Sequence, residues 1–483
     1  MTPTRDAAQS ASLAGQQVLV AGLGITGQSV IALLVSRGAD VIAADSRDDA
    51  ERRDVADVLA KDGVLVRLGE GALGPGASVP AGTGLVVASP GLRPDTPLLA
   101  AAAAAGIEVI GDVELAWRLR PPLASGGRQQ WLGVTGTNGK TTTVRMLAAM
   151  LAAAGHRSVA AGNVGIPILD VVTDPEPYSV VAVELSSFQL YWSSTLAPLA
   201  AVVLNIAAHH LDWHDDIQSY MSAKARIFGP ATIAICNADD ARSVAIAEQA
   251  VARGGTRMVG FRLGEPGPGE LGVAEGWLVD NAFGRYIRLA PQELVRPPAP
   301  HNVADALAAA ALARAYGDQP ASIAAGLAGF VPEPHRISLV AERNGVTFID
   351  DSKASNPAAA AASLAAFPSI IWVAGGLFRG SDTDLDAMVA GAASRLRAAV
   401  LIGTDRSRFA RALARHAPDV PVTELTSTET GVMDEAVAVA AGAARRGDTV
   451  LLAPAAQSWD MFRDYPARGD AFAAAVGRLA DSQ

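Results

Sequence analysis

The chain of 483 residues carries a single cysteine, Cys236. That excludes an internal disulfide and any cysteine-rich zinc site, and it fits a reducing compartment. Aromatic residues are scarce, at 5%, while abundant alanine favours helices and makes their packing faces hard to read. No apolar run approaches the roughly 20 residues that a membrane helix needs; the run at residues 98–105 stops at Gly106 and Glu108. Residues 1–10 are polar and lack the apolar core of a signal peptide. A soluble, cytoplasmic protein with no membrane partner is expected. Basic residues are outnumbered, 39 Lys and Arg against 49 Asp and Glu. The net charge of −10 argues against a nucleic-acid surface and still allows a local basic pocket for an anionic ligand.

What is present is apolar mass and phosphate chemistry. Half the residues are hydrophobic, so burial is not limiting, and the length suggests about three domains. The most informative stretch is Gly133-Val134-Thr135-Gly136-Thr137-Asn138-Gly139-Lys140-Thr141-Thr142-Thr143. A short apolar strand candidate at residues 131–134 feeds this turn, and residues 144–154 read as a helix behind it. Free N–H groups and the positive end of the helix dipole attract an anion there; Lys140 adds a full charge, and a threonine hydroxyl can ligate Mg2+. A regular Walker loop has a further glycine where this chain has Val134. That departure points away from generic nucleoside triphosphatases.

A second glycine turn, Gly22-Leu23-Gly24-Ile25-Thr26-Gly27, follows a strand candidate at residues 17–21, and Asp45 ends the next one. The spacing matches a dinucleotide-binding fingerprint, although a ligand-free tight turn has the same pattern. Strand-like runs at residues 85–88 and 107–110 extend this unit. The Pro- and Gly-bearing stretch 120–127 marks a linker. The fold class expected is α/β in three domains: a Rossmann-like N-terminal domain (residues 1–118), a central P-loop-type ATPase α/β domain (119–332) and a C-terminal doubly wound Rossmann-like domain (333–483).

Polar groups gather at several strand ends. Glu184 closes the apolar run 180–184 and is followed by Leu185-Ser186-Ser187-Phe188-Gln189. In open α/β sheets ligands sit at such ends, and a nucleoside triphosphate needs a hard oxygen ligand for its metal. His209, His210 and His214 stand beside Asp212, and Lys224 and Arg226 fall on a helix candidate, where they also read as ordinary surface cations. In the third domain Asp350-Asp351-Ser352-Lys353-Ala354-Ser355-Asn356, Arg379, and the group Ser458, Asp460, Tyr465 and Arg468 each follow a strand candidate.

Together these pieces resemble the Mur ligases, ATP-dependent amide-forming enzymes of peptidoglycan precursor synthesis. The family's loop reads TGTNGKT, as residues 135–141 do, and lacks the same first glycine. The stretches at 184–190 and 351–356 resemble the D-glutamate-adding branch, and the likeness runs from Gly22 to Gly469. The resemblance implies that the first domain holds UDP rather than NAD. Ile25, Thr26, Asp45, Ser46 and Arg47 would surround it, with Ser89 and Gly91 nearby and Asn163, Ser186 and Gln189 on the sugar side. It implies ATP against Asn138, Gly139, Lys140, Thr141 and Thr142, completed by Asn302, Arg336, Asp351 and Lys353. One Mg2+ would sit on Thr141 and Glu184, and a second on His210 and a carbamylated Lys224. Ser355, Arg379, Ser458 and Tyr465 would grip D-glutamate, which is added to UDP-N-acetylmuramoyl-L-alanine. Lys140, Glu184, His210, Lys224 and Lys353 are the catalytic candidates, and a monomer is expected. Four positions depart from the family pattern: His209 replaces an Asp, Asp305 an Asn, Arg379 a Lys and Tyr465 a Phe. The alternatives are another Mur-type amide ligase, a folylpolyglutamate-type ligase sharing the central domain, an NAD-dependent oxidoreductase built on residues 22–45, and a nucleotide-binding scaffold without turnover.

Overall fold

The computed structural model describes residues 13–479 except 255, 256 and 428, so residues 1–10 lie outside the described part. The first sheet has five parallel strands in the spatial order Leu65–Leu68, Asp40–Asp45, Gln17–Ala21, Leu85–Ala88, Glu108–Gly111. The central strand has four fully buried residues, Val18 to Ala21, as a parallel strand covered on both faces requires. The order reverses between Gln17–Ala21 and Leu85–Ala88, and a crevice opens at the strands' C-terminal ends there. Gly22–Gly27 turns into that crevice, and helix Ile25–Ser36 begins within the turn. Gly27 packs so closely that a Cβ there would come within 1.9 Å of the Gly22 carbonyl oxygen.

The second sheet has nine strands, ordered Ile287–Pro291, Trp277–Asp280, Glu270–Ala274, Met258–Phe261, Ile233–Asn237, Ala200–Val203, Gln130–Thr135, Val180–Glu184, Ser158–Gly162. Its middle is parallel, and Gln130–Thr135 is flanked by Ala200–Val203 and Val180–Glu184. Both sheets belong to one compact unit, Met1–Pro291 with Asp305–Gly329. Helix Asp112–Leu119 follows the last strand of the first sheet and packs on Ser187–Tyr191 and Ile168–Thr173 of the neighbouring layer. This joins the two sheets through one apolar core that includes Val113, Trp117, Trp131 and Leu190.

The other compact unit comprises Gln292–Ala304 and Phe330–Gln483. Its six-stranded sheet is ordered Ser338–Arg343, Val346–Asp350, Thr449–Leu452, Ile370–Gly375, Leu396–Ile402, Val422–Glu424. All pairs are parallel except the first. Apolar layers cover both faces, one around Trp372 and Phe409, the other around Phe348 and Phe472. Among the described residues no helix is long and apolar enough to cross a membrane.

Candidate functional site

The phosphate loop sits between the central strand Gln130–Thr135 and helix Lys140–Ala153. Gly139 caps this helix with φ 84°, a conformation glycine adopts freely. A Cβ there would lie 2.2 Å from Asp305 Oδ1, so the glycine is needed for space as well as for backbone geometry. The Asn205 side chain braces the loop, accepting from Asn138 N at 2.9 Å and donating to Asn138 O at 3.1 Å. Lys140 Nζ folds back to donate to the carbonyls of Gly136 (3.0 Å) and Thr137 (2.9 Å).

Thr141 begins the helix and donates its hydroxyl to Glu184 Oε2 at 2.9 Å, while Asn163 Nδ2 donates to Glu184 Oε1 at 3.0 Å. Glu184 is only 2% exposed, so it is no solvated strand-end carboxylate. This hard-oxygen pair of hydroxyl and carboxylate at a helix N-terminus suits a Mg2+ that bridges to phosphate. Lys224 is also buried, which excludes the surface-cation reading for it. Its Nζ donates to Thr135 Oγ1 (3.1 Å) and to the same Gly136 carbonyl (2.8 Å). Burial, followed by the nearby Lys140 charge, pushes its pKa well below the usual lysine range, against the pull of Glu184. A depressed amine pKa is what carbamylation by CO2 requires, because the neutral amine is the nucleophile.

His210 precedes helix Leu211–His214 with φ 55° and makes a tilted contact with Phe188 and an edge-on contact with His209, ring centroids 4.8 and 3.8 Å away. Burial lowers the pKa of His209 to about 3 and that of His214 to about 4, and it lowers that of His210 as well. Lys224 adds to each shift, while Asp212 opposes that of His210 and Asp215 that of His214. Among the described residues no three His, Cys, Asp or Glu side chains converge as a metal-binding group. Of the metal candidates, Thr141 and Glu184 are joined directly, and Lys224 stands at the foot of the same loop.

A cavity of about 730 Å³ opens beyond the switch point of the first sheet and reaches the second. Its wall includes Ile25, Thr26, Asp45, Ser46, Ser89, Gly91, Asn163, Ser186 and Gln189, all but one of the UDP-side and sugar-side candidates. The exception is Arg47, which pairs with Asp49 (2.7 Å) and Glu51 (2.9 Å) on the exposed side of its turn. Asp45 Oδ2 accepts from Leu23 N at 2.7 Å and so pins the glycine turn. Ser186 and Gln189 form a capping box at the start of Ser187–Tyr191, which fixes both side chains. Asn163 lines the cavity and also binds Glu184, so one end of the cavity adjoins the phosphate loop. Phe188 and Asp112 also line it; sequence reasoning missed both, although Asp112 follows a strand end as Glu184 does.

In the other unit, Asp351, Lys353 and Ser355 lie on the loop after Val346–Asp350. Burial raises the Asp351 pKa to about 6; its carboxylate accepts from Ser363 Oγ and from Ile337 N. Lys353 Nζ lies 3.9 Å from the centre of the Tyr465 ring. Arg336 is held by Glu333 at 2.9 Å, and Asn302 donates to Pro297 O at 3.1 Å. The exposed Arg379 and the buried Ser458 lie on loops tied by paired Leu377 and Gln457 backbone bonds. Arg468 is fully buried and clamps two loops, donating to Ser352 Oγ and O and to Ala456 O.

Three family profiles match the chain in order: the Mur ligase MurD-like N-terminal domain over residues 16–111, the Mur ligase middle domain over 134–313 and the Mur ligase glutamate ligase domain over 335–456. The chain belongs to the Mur ligase family. It is 53% identical over 477 residues to a UDP-N-acetylmuramoylalanine--D-glutamate ligase of Thermobifida fusca, covering 97% of this chain and 99% of that one. Among solved structures, this Mur ligase matches the fold of UDP-N-acetylmuramate-alanine ligase MurC from Thermotoga maritima with a TM-score of 0.54 at 19% identity, covering 97% and 100% of the two chains. A folylpolyglutamate synthase of Mycobacterium tuberculosis has a TM-score of 0.50 at 18% identity and covers 74% of this chain and 92% of its own.

Proposed function

We propose that this Mur ligase uses ATP to join D-glutamate to UDP-N-acetylmuramoyl-L-alanine in peptidoglycan precursor synthesis. The observation that carries this reading is the chain of contacts from the nucleotide-sized cavity through Asn163 and Glu184 to Thr141 of the phosphate loop. A long substrate anchored by its nucleotide at the glycine turn can thereby present its far carboxylate to the terminal phosphate of ATP. The name carried by the Thermobifida fusca relative supports the choice of acceptor and amino acid.

In this reading Ile25, Thr26, Asp45 and Ser46 hold the uridine diphosphate end, with Ser89 and Gly91, and Asn163, Ser186 and Gln189 hold the sugar side; Arg47, paired with Asp49 and Glu51, stands off the cavity wall and is left out of it. Asn138, Gly139, Lys140, Thr141 and Thr142 cradle ATP; Asn302, Arg336, Asp351 and Lys353 are the further ATP candidates that the family resemblance implies. A carboxylate oxygen of the alanyl group attacks the γ-phosphorus, the bond to ADP breaks, and an acyl phosphate forms. Lys140 and Lys353 offset the charge that gathers as two anions meet. The D-glutamate amine, having lost a proton, attacks the acyl carbon, and phosphate leaves as the amide forms. Ser355, Arg379, Ser458 and Tyr465 hold the amino acid; the arginine fork matches a carboxylate in bidentate fashion. Mg2+ on Thr141 and Glu184, with a second ion on His210 and a carbamylated Lys224, would supply further neutralisation of phosphate charge.

The domain boundaries we assign are near residues 118 and 332. We read the protein as a cytoplasmic monomer that engages neither nucleic acid nor membrane, in keeping with its net charge of −10. Phosphate release from ATP with UDP-N-acetylmuramoyl-L-alanine, comparing D-glutamate with L-glutamate, L-lysine and diaminopimelate, tests the proposal. Release that depends on D-glutamate alone is expected; release with another of these amino acids and not with D-glutamate would move the chain to a different branch.

A further inference from the structure

His210 has φ 55° and Asp215 φ 67°, so non-glycine residues stand in the left-handed region at both ends of the four-residue helix Leu211–His214. Such backbone persists only where its surroundings hold it, and it gathers at functional sites. Arg93 supplies a large part of that hold. Its Nη1 donates to the carbonyls of Asp212 (2.6 Å) and Trp213 (3.0 Å), and its Nη2 to Asp215 Oδ1 (3.0 Å). A cation is favoured at this end of the helix, where carbonyls lack N–H partners within it. Asp95 anchors the guanidinium from the other side, accepting from Nε at 3.1 Å. Trp213 returns the tie, its Nε1 donating to Gly91 O at 3.1 Å. Arg93 stands on the loop after strand Leu85–Ala88, and Ser89, Pro90, Gly91 and Leu92 of that loop line the cavity at the first sheet's switch point. Among the described residues, that wall includes neither Arg93 nor any of 210–215. One guanidinium thus fastens the cavity loop to a turn 119 to 122 positions away.

We propose that Arg93 is a positioning residue that couples occupancy of the nucleotide-sugar cavity to the turn carrying His210. This rests on the reading of the cavity as the nucleotide-sugar site. A substrate that fills the cavity settles the loop at residues 89–92, and the bonds of Arg93 pass that order on to 210–215. His210 is then held in one orientation before the phosphate is transferred. Besides burial, which lowers the His210 pKa most, the charges of Lys140 and Lys224 push it down against Asp212, so the imidazole stands in the field of the phosphate loop. Order gained at one site is thereby available to the other. Phe188 also lines the cavity, and its ring meets those of His210 and Trp213, at 4.8 and 5.0 Å between centroids. Ring contacts tolerate sliding, whereas charge-assisted bonds from a planar guanidinium fix a direction, and this assigns the coupling to Arg93.

Amide hydrogen exchange with and without UDP-N-acetylmuramoyl-L-alanine tests this. In the unaltered protein the substrate should slow exchange at residues 89–92 and also at 210–216, where the Trp213 and His214 N–H groups donate to His210 O. Slowing at 89–92 alone overturns the proposal. Failure of the substrate to bind, with no slowing at either segment, would instead sink the reading of the cavity, so the two failures are distinguishable. In Arg93→Met the substrate should still slow exchange at 89–92 and lose its effect on 210–216. A merely structural role would speed exchange in both states and leave the substrate's effect in place, so an effect that survives at 210–216 overturns the coupling. The kcat of phosphate release with ATP and D-glutamate should fall at least about tenfold in Arg93→Met, as loss of charge-assisted hydrogen bonds implies. The Kd for UDP alone should stay within about twofold, the size of an ordinary surface change. An unchanged kcat, or an equal loss of affinity for UDP, also overturns the proposal. If the variant does not fold, the exchange pattern of the unaltered protein decides alone.

Discussion

Replacing Gly139 with alanine should damage the phosphate loop for two separable reasons. The backbone there has φ 84°, and an L-residue in that region costs about 1–2 kcal/mol. The added Cβ would also lie 2.2 Å from Asp305 Oδ1 and 3.0 Å from its Cγ, and relief of such an overlap costs about 1–3 kcal/mol. Gly139→Ala should therefore lose about 2–5 kcal/mol in denaturant unfolding, the sum of those two ranges. Asp305→Ala removes the clashing atoms and leaves the backbone cost. In that background the same glycine substitution should cost only about 1–2 kcal/mol. The KM for ATP, read from phosphate release, should rise in Gly139→Ala and recover partly in the double variant. A penalty below about 0.5 kcal/mol, the size of an ordinary surface change, would refute the reasoning. So would a penalty that is the same with and without the Asp305 carboxylate.

Lys140→Ala should abolish ATP-dependent phosphate release without changing the Kd for UDP; near-normal turnover would remove the basis of the proposed chemistry. Lys224→Ala should be inactive and regain activity with short carboxylic acids supplied in the buffer, whereas inactivity that no such acid relieves counts against the carbamate. The Asp351 carboxyl, raised to about 6 in the fold, favours the protonated state there, so the stability it contributes is present below its unfolded pKa and lost as pH rises through about 6. Asp351→Asn should then remove about 2 kcal/mol of the fall in unfolding free energy between pH 4 and 7. Asp112, shifted in the same direction, retains its own share; an identical pH profile for the Asn variant would show that Asp351 does not titrate as described.

Much of the fold is legible because its central strands are continuous apolar runs between glycine turns. Val180–Glu184 and Thr449–Leu452 are buried along their whole length, which only a sheet covered on both faces allows. The strands that escape such reading lie toward edges. Leu65–Leu68, Ser338–Arg343 and Val422–Glu424 have no fully buried residue and are short or broken by charged residues, so no continuous apolar run identifies them. The hairpins formed by Glu270–Ala274, Trp277–Asp280 and Ile287–Pro291 extend a parallel sheet with an antiparallel margin, and nothing in a βαβ rhythm anticipates that. At the site, Lys140, Thr141 and Glu184 were visible as residue types in phosphate-binding spacing, and their hydrogen bonds are local to one loop and one adjacent strand. Asp112 was hidden for a different reason. It lies 77 positions from Gln189, and only the packing of its helix on Ser187–Tyr191 brings the two together.

The Gly136 carbonyl accepts from both Lys140 and Lys224, and the Lys140 charge is one of the causes that hold the proton affinity of Lys224 down. A phosphate drawn to Lys140 offsets part of the charge that depresses the proton affinity of Lys224. By reciprocity, the state of Lys224 must change the hold on that phosphate by the same factor. Nucleotide capture in this loop is therefore tied to proton traffic at a side chain that never touches bulk water, and calorimetry in buffers of different ionisation heat should register protons moving as the triphosphate binds.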